Sequence, residues 1–160
     1  MAVKEIVKEG NDVLSKVCSE VTSFDSSLSD LLTDLKDTLK DSGGIGLAAP
    51  QIGVLKRVVV IDLNGETYEL INPVITSKSG EQHELEGCLS CPGEFGITKR
   101  PMTVTLKAKN PFGKEVVHTG KELLARAFCH ELDHLDGILF KKHVIHMLTE
   151  EELSKLESAE

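Results

Sequence analysis

His130 and His134 stand four residues apart, and Glu131 directly follows the first, in the run His130-Glu131-Leu132-Asp133-His134. On a helix, residues four apart share one face, so both imidazoles can reach a single metal ion. A carboxylate next to the first ligand is placed to hold a water on that ion as general base. The pattern points to metal-assisted hydrolysis of a carbonyl compound. Two imidazoles do not complete such a site, because zinc and iron sites usually take at least three protein ligands and a catalytic one leaves a position open. Metzincin proteases find the third ligand in the spacing HExxHxxGxxH. Here Gly137 is in place, but Phe140 stands where the third histidine belongs. A distant glutamate such as Glu151 lies in a charge run near the chain end. The best remaining ligand is Cys88, in Glu86-Gly87-Cys88-Leu89-Ser90.

These side chains need a frame. A capping box between Thr119 and Glu122 predicts a helix over about 120–135 that carries both histidines, with Gly137 as its stop. Phe24, Leu28, Leu31, Leu32, Leu35 and Leu39 recur at helical spacing and predict a helix over about 25–41, stopped by Gly43-Gly44. Asn11 or Asp12 caps a short helix to about Val17. Gly44 to Gly53 reads as a loop packed close to something. Strands are expected at Lys56–Asp62 and Glu66–Ile71 around an Asn64-Gly65 hairpin turn, then at Thr103–Lys109 and about 115–118. Residues 73–100 read as turn-rich with short strands. Thr149 and Glu152 cap an acidic C-terminal helix, which Leu148, Leu153 and Leu156 would pack onto the domain. Helices and hairpins without βαβ alternation give an α+β fold: short antiparallel or mixed sheets around the central HExxH helix, with helices at both ends of the chain.

At 160 residues the chain is expected to form one domain over residues 1–160. Hydrophobic content of 40% and charged content of 28% are those of a soluble globular protein. A net charge of −8 argues against a broad nucleic-acid or anionic-membrane footprint. No apolar run approaches a membrane span, and the first residues carry no apolar signal core. Four cysteines in such a chain suggest reduced thiols or metal ligands and a cytoplasmic location. The Gly44–Gly53 stretch lacks the Lys-Ser/Thr ending of a phosphate loop.

Three motifs stand in order: Gly44-Ile45-Gly46-Leu47-Ala48-Ala49-Pro50-Gln51, Glu86-Gly87-Cys88-Leu89-Ser90, and His130-Glu131-Leu132-Asp133-His134-Leu135. Over roughly residues 44–140 the chain resembles the peptide deformylases, which remove the formyl group from the N-terminal formylmethionine of new bacterial polypeptides. The resemblance implies that Cys88, His130 and His134 hold one divalent metal, typically Fe²⁺, with Zn²⁺, Ni²⁺ or Co²⁺ substituting. It makes Glu131 the general base and then acid as metal-bound hydroxide attacks the formyl carbon. Gln51 and the backbone N–H of Leu89 become the oxyanion donors. Gly46 would pair with the substrate backbone, beside Ile45, Glu86 and Gly87. Arg126 and Ala127, with Leu123 a turn further back, would line the methionine pocket. Its implied partners are N-formylmethionyl nascent peptides near the ribosome, met by a monomer.

Glu86 is also placed to pair with Arg100, either bracing the cysteine loop or as a surface ion pair. His83, His118, His143 and His146 read as surface or satisfied histidines, and Cys18 as a small buried hydrophobe. The sequence departs from the family at Cys129, usually Gln, and at Cys91, usually apolar. Cys91 opens two further readings. Cys88-x-x-Cys91 with the two histidines forms a formal Cys₂His₂ set for a closed structural zinc. Alternatively, Cys91 pairs with Cys88 on oxidation. A different amide hydrolase with the same metal triad is the remaining alternative.

Overall fold

The computed structural model describes residues 2–159. Helix α1 (Ser26–Ser42) begins where the Asp25 carboxylate accepts the Leu28 N–H, and ends at Gly43, whose φ of 72° suits a residue without a Cβ. Its buried stripe is Leu28, Leu31, Leu32, Leu35 and Leu39. Strands β1 (Gly46–Ala48), β2 (Val58–Leu63), β3 (Glu66–Ser79), β6 (Thr103–Lys109) and β7 (Glu115–Lys121) form an antiparallel sheet in the order β1-β2-β3-β6-β7. Strands β4 (Gln82–Cys88), β5 (Cys91–Arg100) and β8 (Val144–Met147) form a second, in the order β4-β5-β8. Helix α2 (Leu123–Leu135) carries the two histidines, and α3 (Glu150–Ala159) is the last element.

Strand β2 explains how the layers stack. Successive strand residues face opposite sides. Val58 and Val60 pack with the α1 leucines, while Val59 and Ile61 pack with Ala125, Phe128 and Leu135 of α2. Both faces of β2 are therefore buried, which is why it reads as an unbroken β-branched run. The α+β architecture, with antiparallel sheets around the HExxH helix, is as expected.

Several boundaries differ from expectation. The Thr119–Glu122 capping box does not form. Thr119 belongs to β7, where its Oγ1 lies 2.9 Å from Thr105 Oγ1. Glu122 makes the turn instead, at φ 54°, its N–H bonded to the Met102 carbonyl at 2.9 Å. Helix α2 starts only at Leu123 because sheet pairing claims the residues before it. Residues 73–100 are long strands, not short ones, since β3 runs 14 residues and β5 runs 10. Two glycines within these strands, Gly87 and Gly96, are packing positions: a Cβ would meet the Phe95 ring at 2.7 Å and Val144 at 2.9 Å. The Gly44–Gly53 segment contains β1 and a 3-10 turn, Ala49–Ile52. The first helix is one 3-10 turn, Asp12–Ser15, capped by Asn11. Strand β8 is too short for its periodicity to register.

Other signals hold. Asn64 and Gly65 both have positive φ, as a type I′ turn requires. Gly137 N–H bonds His134 O at 3.2 Å and Ile138 N–H bonds Asp133 O at 2.9 Å, a Schellman end to α2. Thr149 and Glu152 exchange the two bonds of a capping box. Leu148 and Leu153 are half-buried, but Leu156 is 42% exposed and does not pack α3 down.

Candidate active site

Helix α2 presents His130, Glu131 and His134 toward the loop that joins β4 to β5, and Cys88 is the last residue of β4. The Cys88 Sγ lies 3.4 Å from His134 Nε2, and one atom each of Cys88, His130 and His134 fall within 4.8 Å of one another. His130 is fixed from behind. His130 Nδ1 bonds Glu86 Oε2 at 2.6 Å, which leaves Nε2 for the cluster. Glu86 is in turn held by Arg100, whose Nε and Nη2 reach its two oxygens at 3.2 and 2.8 Å, and by Thr98 Oγ1 at 2.9 Å. Arg100 Nη1 bonds Asp133 at 2.7 Å. The Glu86–Arg100 pair is therefore buried, not a surface ion pair; Arg100 is 3% exposed.

The electrostatics suit a cation. Burial disfavours an imidazolium at His130, but the charge of Glu131 and hydrogen bonds that the ring donates to Cys88 and Glu86 outweigh it and raise its pKa well above the usual value. His134 moves the other way, pushed down to about 3 by burial and by the charge of His130. Positive charge is thus favoured at the centre while His134 keeps a free lone pair. One soft sulfur and two imidazoles match a divalent transition ion. Glu131 Oε1 and His134 Nδ1 are buried without a hydrogen-bond partner. Burial also pushes the Glu131 carboxyl up to about 7, against the opposing charge of His130. A carboxyl there is suited to exchange protons at neutral pH.

Gln51 completes the wall. Its Oε1 accepts the Ala48 N–H at 3.0 Å, which fixes the amide orientation. Its Nε2 lies 3.2 Å from Ser90 Oγ and 3.7 Å from Cys88 Sγ. Gly46 lies against Glu131 so closely that a Cβ would meet Oε2 at 2.7 Å. A cavity of about 490 Å³ opens over these groups. Its lining includes every site residue expected from the sequence except His134: Ile45, Gly46, Gln51, Glu86, Gly87, Cys88, Leu89, Leu123, Arg126, Ala127, His130 and Glu131. His134 is buried behind them. Arg126 donates from Nη1 to the Leu85 carbonyl at 3.0 Å, tying α2 to β4.

Sequence reasoning missed Leu85 and Phe95 on the cavity wall, and Ser90, Thr98 and Asp133 behind it. Phe95 was findable: an aromatic facing a glycine across a strand pair, here Gly87, covers the gap. Cys91 is not a fourth ligand. Its sulfur groups with the carboxylates of Glu9 and Glu94, and burial, with the charge of Cys88, pushes its thiol up to about 12. The closed Cys₂His₂ arrangement is absent among the described residues. His83 and His146 are exposed and paired with Glu81 and Glu152.

A family model described as polypeptide deformylase matches residues 3–150. The chain belongs to the peptide deformylase family. The peptide deformylase of Acetivibrio thermocellus is 50% identical over 155 residues, covering 97% of this chain and 91% of that protein. That of Caldicellulosiruptor bescii is 48% identical over 158 residues, covering 99% and 95%. The crystal structure of a peptide deformylase from Legionella pneumophila matches with a TM-score of 0.87 at 39% identity, over 99% of this chain and 97% of that one. The Thermotoga maritima peptide deformylase matches with a TM-score of 0.88 at 33% identity, over 90% and 99%. Membership makes the chain a hydrolase of a metal-dependent family. No helix among the described residues is long and apolar enough to cross a membrane.

Proposed function

We propose that the chain, as one catalytic domain over residues 1–160, removes the N-formyl group from the N-terminal formylmethionine of newly made polypeptides and releases formate. The observation that carries this is the meeting of Cys88, His130 and His134 with Glu131 and Gln51 at one cavity. Cys88, His130 and His134 would hold Fe²⁺, with Zn²⁺, Ni²⁺ or Co²⁺ as substitutes. Such an ion supplies Lewis-acid activation of water at neutral pH.

The protein groups divide the remaining work. Glu131 takes the proton of the attacking water and returns it to the leaving amine, a role its pKa of about 7 supports. Gln51 Nε2 and the Leu89 N–H receive the oxyanion, and one such donor is typically worth about 10²–10³ in rate. The substrate backbone runs between two edge strands, along β1 at Gly46 with Ile45 just before it and along β4 at Glu86-Gly87. The methionine side chain enters the apolar wall of Leu123, Ala127 and the aliphatic stem of Arg126. A tight wall near Gly46 and Leu89 would admit a formyl hydrogen and reject an acetyl methyl by steric exclusion.

The enzyme works as a cytoplasmic monomer on nascent chains, with transient proximity to the ribosome. The net charge of −8 supports the absence of stable nucleic-acid binding. The test is formate release from a formyl-Met peptide by protein purified without oxygen and loaded with Fe²⁺, beside Glu131→Gln. Release by the parent alone supports the reading. No release, or equal release from an acetylated peptide, overturns it.

A further inference from the structure

Cys91 has no part in the chemistry above. It is a free thiol, 2% exposed, at the first position of β5. The β4–β5 hairpin sets it directly across from Cys88, its register partner, with only Leu89-Ser90 between them. Opposed residues of an antiparallel pair project to the same face, with Cα atoms about 4.5–5.5 Å apart. A disulfide closes over Cα separations of about 4.4–6.8 Å, a range that covers opposed hairpin positions, and this pair sits at the register shift between Gly87 and Cys88 that ends the ladder.

The two thiols also differ in access. Cys88 is half-buried and lines the cavity, where a small oxidant reaches it. Cys91 borders the same cavity but is only 2% exposed, with Glu9 and Glu94 beside its sulfur and Lys141 neutralising both acids at 2.6 and 2.8 Å. Cys18 and Cys129 sit in the core beneath the five-stranded sheet and do not compete for Cys88.

We propose that Cys88 and Cys91 form a modification site, a disulfide made when Cys91 resolves the sulfenic acid that a hydroperoxide produces on Cys88. In the first step the Cys88 sulfur takes one oxygen from the hydroperoxide, which leaves as water or an alcohol. In the second the Cys91 sulfur attacks the Cys88 sulfur, the S–O bond breaks, and the oxygen leaves as water with the thiol proton. The two thiols lose two electrons and two protons in all, and the hydroperoxide accepts them. A disulfide sulfur is a poor ligand, so the ion leaves a site reduced to two imidazoles. Cys88 is meanwhile spared the irreversible sulfinic and sulfonic stages. The consequence for the ion rests on Cys88 being a metal ligand; the disulfide rests on the hairpin alone.

The experiment loads the full chain with Zn²⁺, which has no redox chemistry of its own, and treats it with hydrogen peroxide beside an untreated metal-free sample. Peptide mapping is expected to find a Cys88–Cys91 disulfide in both forms. Zinc leaves in step with it, and both changes reverse on adding a dithiol. Cys91→Val and Cys91→Ser should instead collect oxygen on Cys88 and fail to regain zinc on reduction. Added oxygen on Cys88 of the parent, with Cys91 still alkylated as a thiol, overturns the proposal. Failure of the reduced parent to bind zinc overturns the ligand assignment and leaves the mapping result to decide the disulfide.

Discussion

His130 Nδ1 and Glu86 Oε2 lie 2.6 Å apart, and that contact decides which nitrogen of His130 faces Cys88 and His134. The carboxylate that makes it is held at four points, by Arg100 twice, by Thr98 and by His130 itself. A ligand braced in this way loses no orientational freedom when an ion arrives.

Glu86→Gln should therefore weaken Zn²⁺ binding by about 10–100-fold, the usual cost of removing a group behind a ligating histidine. Arg100→Met, which leaves the buried Glu86 charge only Thr98 and His130, should cost at least as much and also lower thermal stability. Competition with a chromophoric chelator measures the first and a melting curve the second. Unchanged zinc affinity in Glu86→Gln would show that the contact does not orient the ligand.

The same carboxylate sets an acid limit. Burial pushes the Glu86 carboxyl up, but the bonds and charges of His130 and Arg100 outweigh it and hold it at about 2, against an ordinary 4.5. A depressed carboxyl stabilises the fold above its unfolded value, and that contribution is lost as pH falls. The metal-free parent should lose on the order of 3 kcal/mol of stability relative to Glu86→Gln between pH 4.5 and about 2. Urea unfolding of both proteins at stepped pH tests this. A difference independent of pH would assign the stabilisation to packing.

How much of this was legible depended on whether a signal was local. His130, Glu131 and His134 announce themselves because helical spacing alone brings them together. The α1 leucines and the Asn64-Gly65 turn are equally local. Arg100, Thr98 and Asp133 converge on one point from β5 and α2, and Arg100 was named only as a partner for Glu86. The failed Thr119–Glu122 box was a sound local signal overridden by pairing between β6 and β7. Ser90 carries no mark of its role, because only the folded hairpin sets it beside Gln51.

Ser90 is fully buried, and its hydroxyl receives one hydrogen of the Gln51 amide at 3.2 Å. With Gln51 Oε1 already engaged by Ala48, this contact turns the second amide hydrogen toward Cys88, whose Sγ lies 3.7 Å from Nε2 at the cavity wall. Ser90→Ala should lower kcat by about 3–10-fold, the worth of one neutral hydrogen bond, with KM little changed. Gln51→Leu should lose about 10²–10³. If the serine acts only through the glutamine, the double variant loses no more than Gln51→Leu alone. A further loss in the double variant would give Ser90 a role of its own.

Gly46 sets the position of the general base from the opposite wall. A Cβ there would lie 2.7 Å from Glu131 Oε2 and 2.9 Å from its Cγ, closer than real contacts allow. The carboxylate, not the backbone of β1, would give way, since β1 is anchored by pairing with β2 through Gly46, Leu47 and Ala48. The nearest ligand atom, His130 Nε2, is 4.0 Å from Glu131 Oε2 and is held from its other side by Glu86, so Gly46→Ala should keep most of its zinc affinity and its fold. Its kcat should fall by about 10–100-fold, because a displacement near 1 Å at a reacting group costs that much. Comparing kcat with zinc affinity separates the two effects. Equal losses in both would mean that the glycine serves the metal site as a whole, and an unchanged kcat would mean that Glu131 does not need the position it holds here.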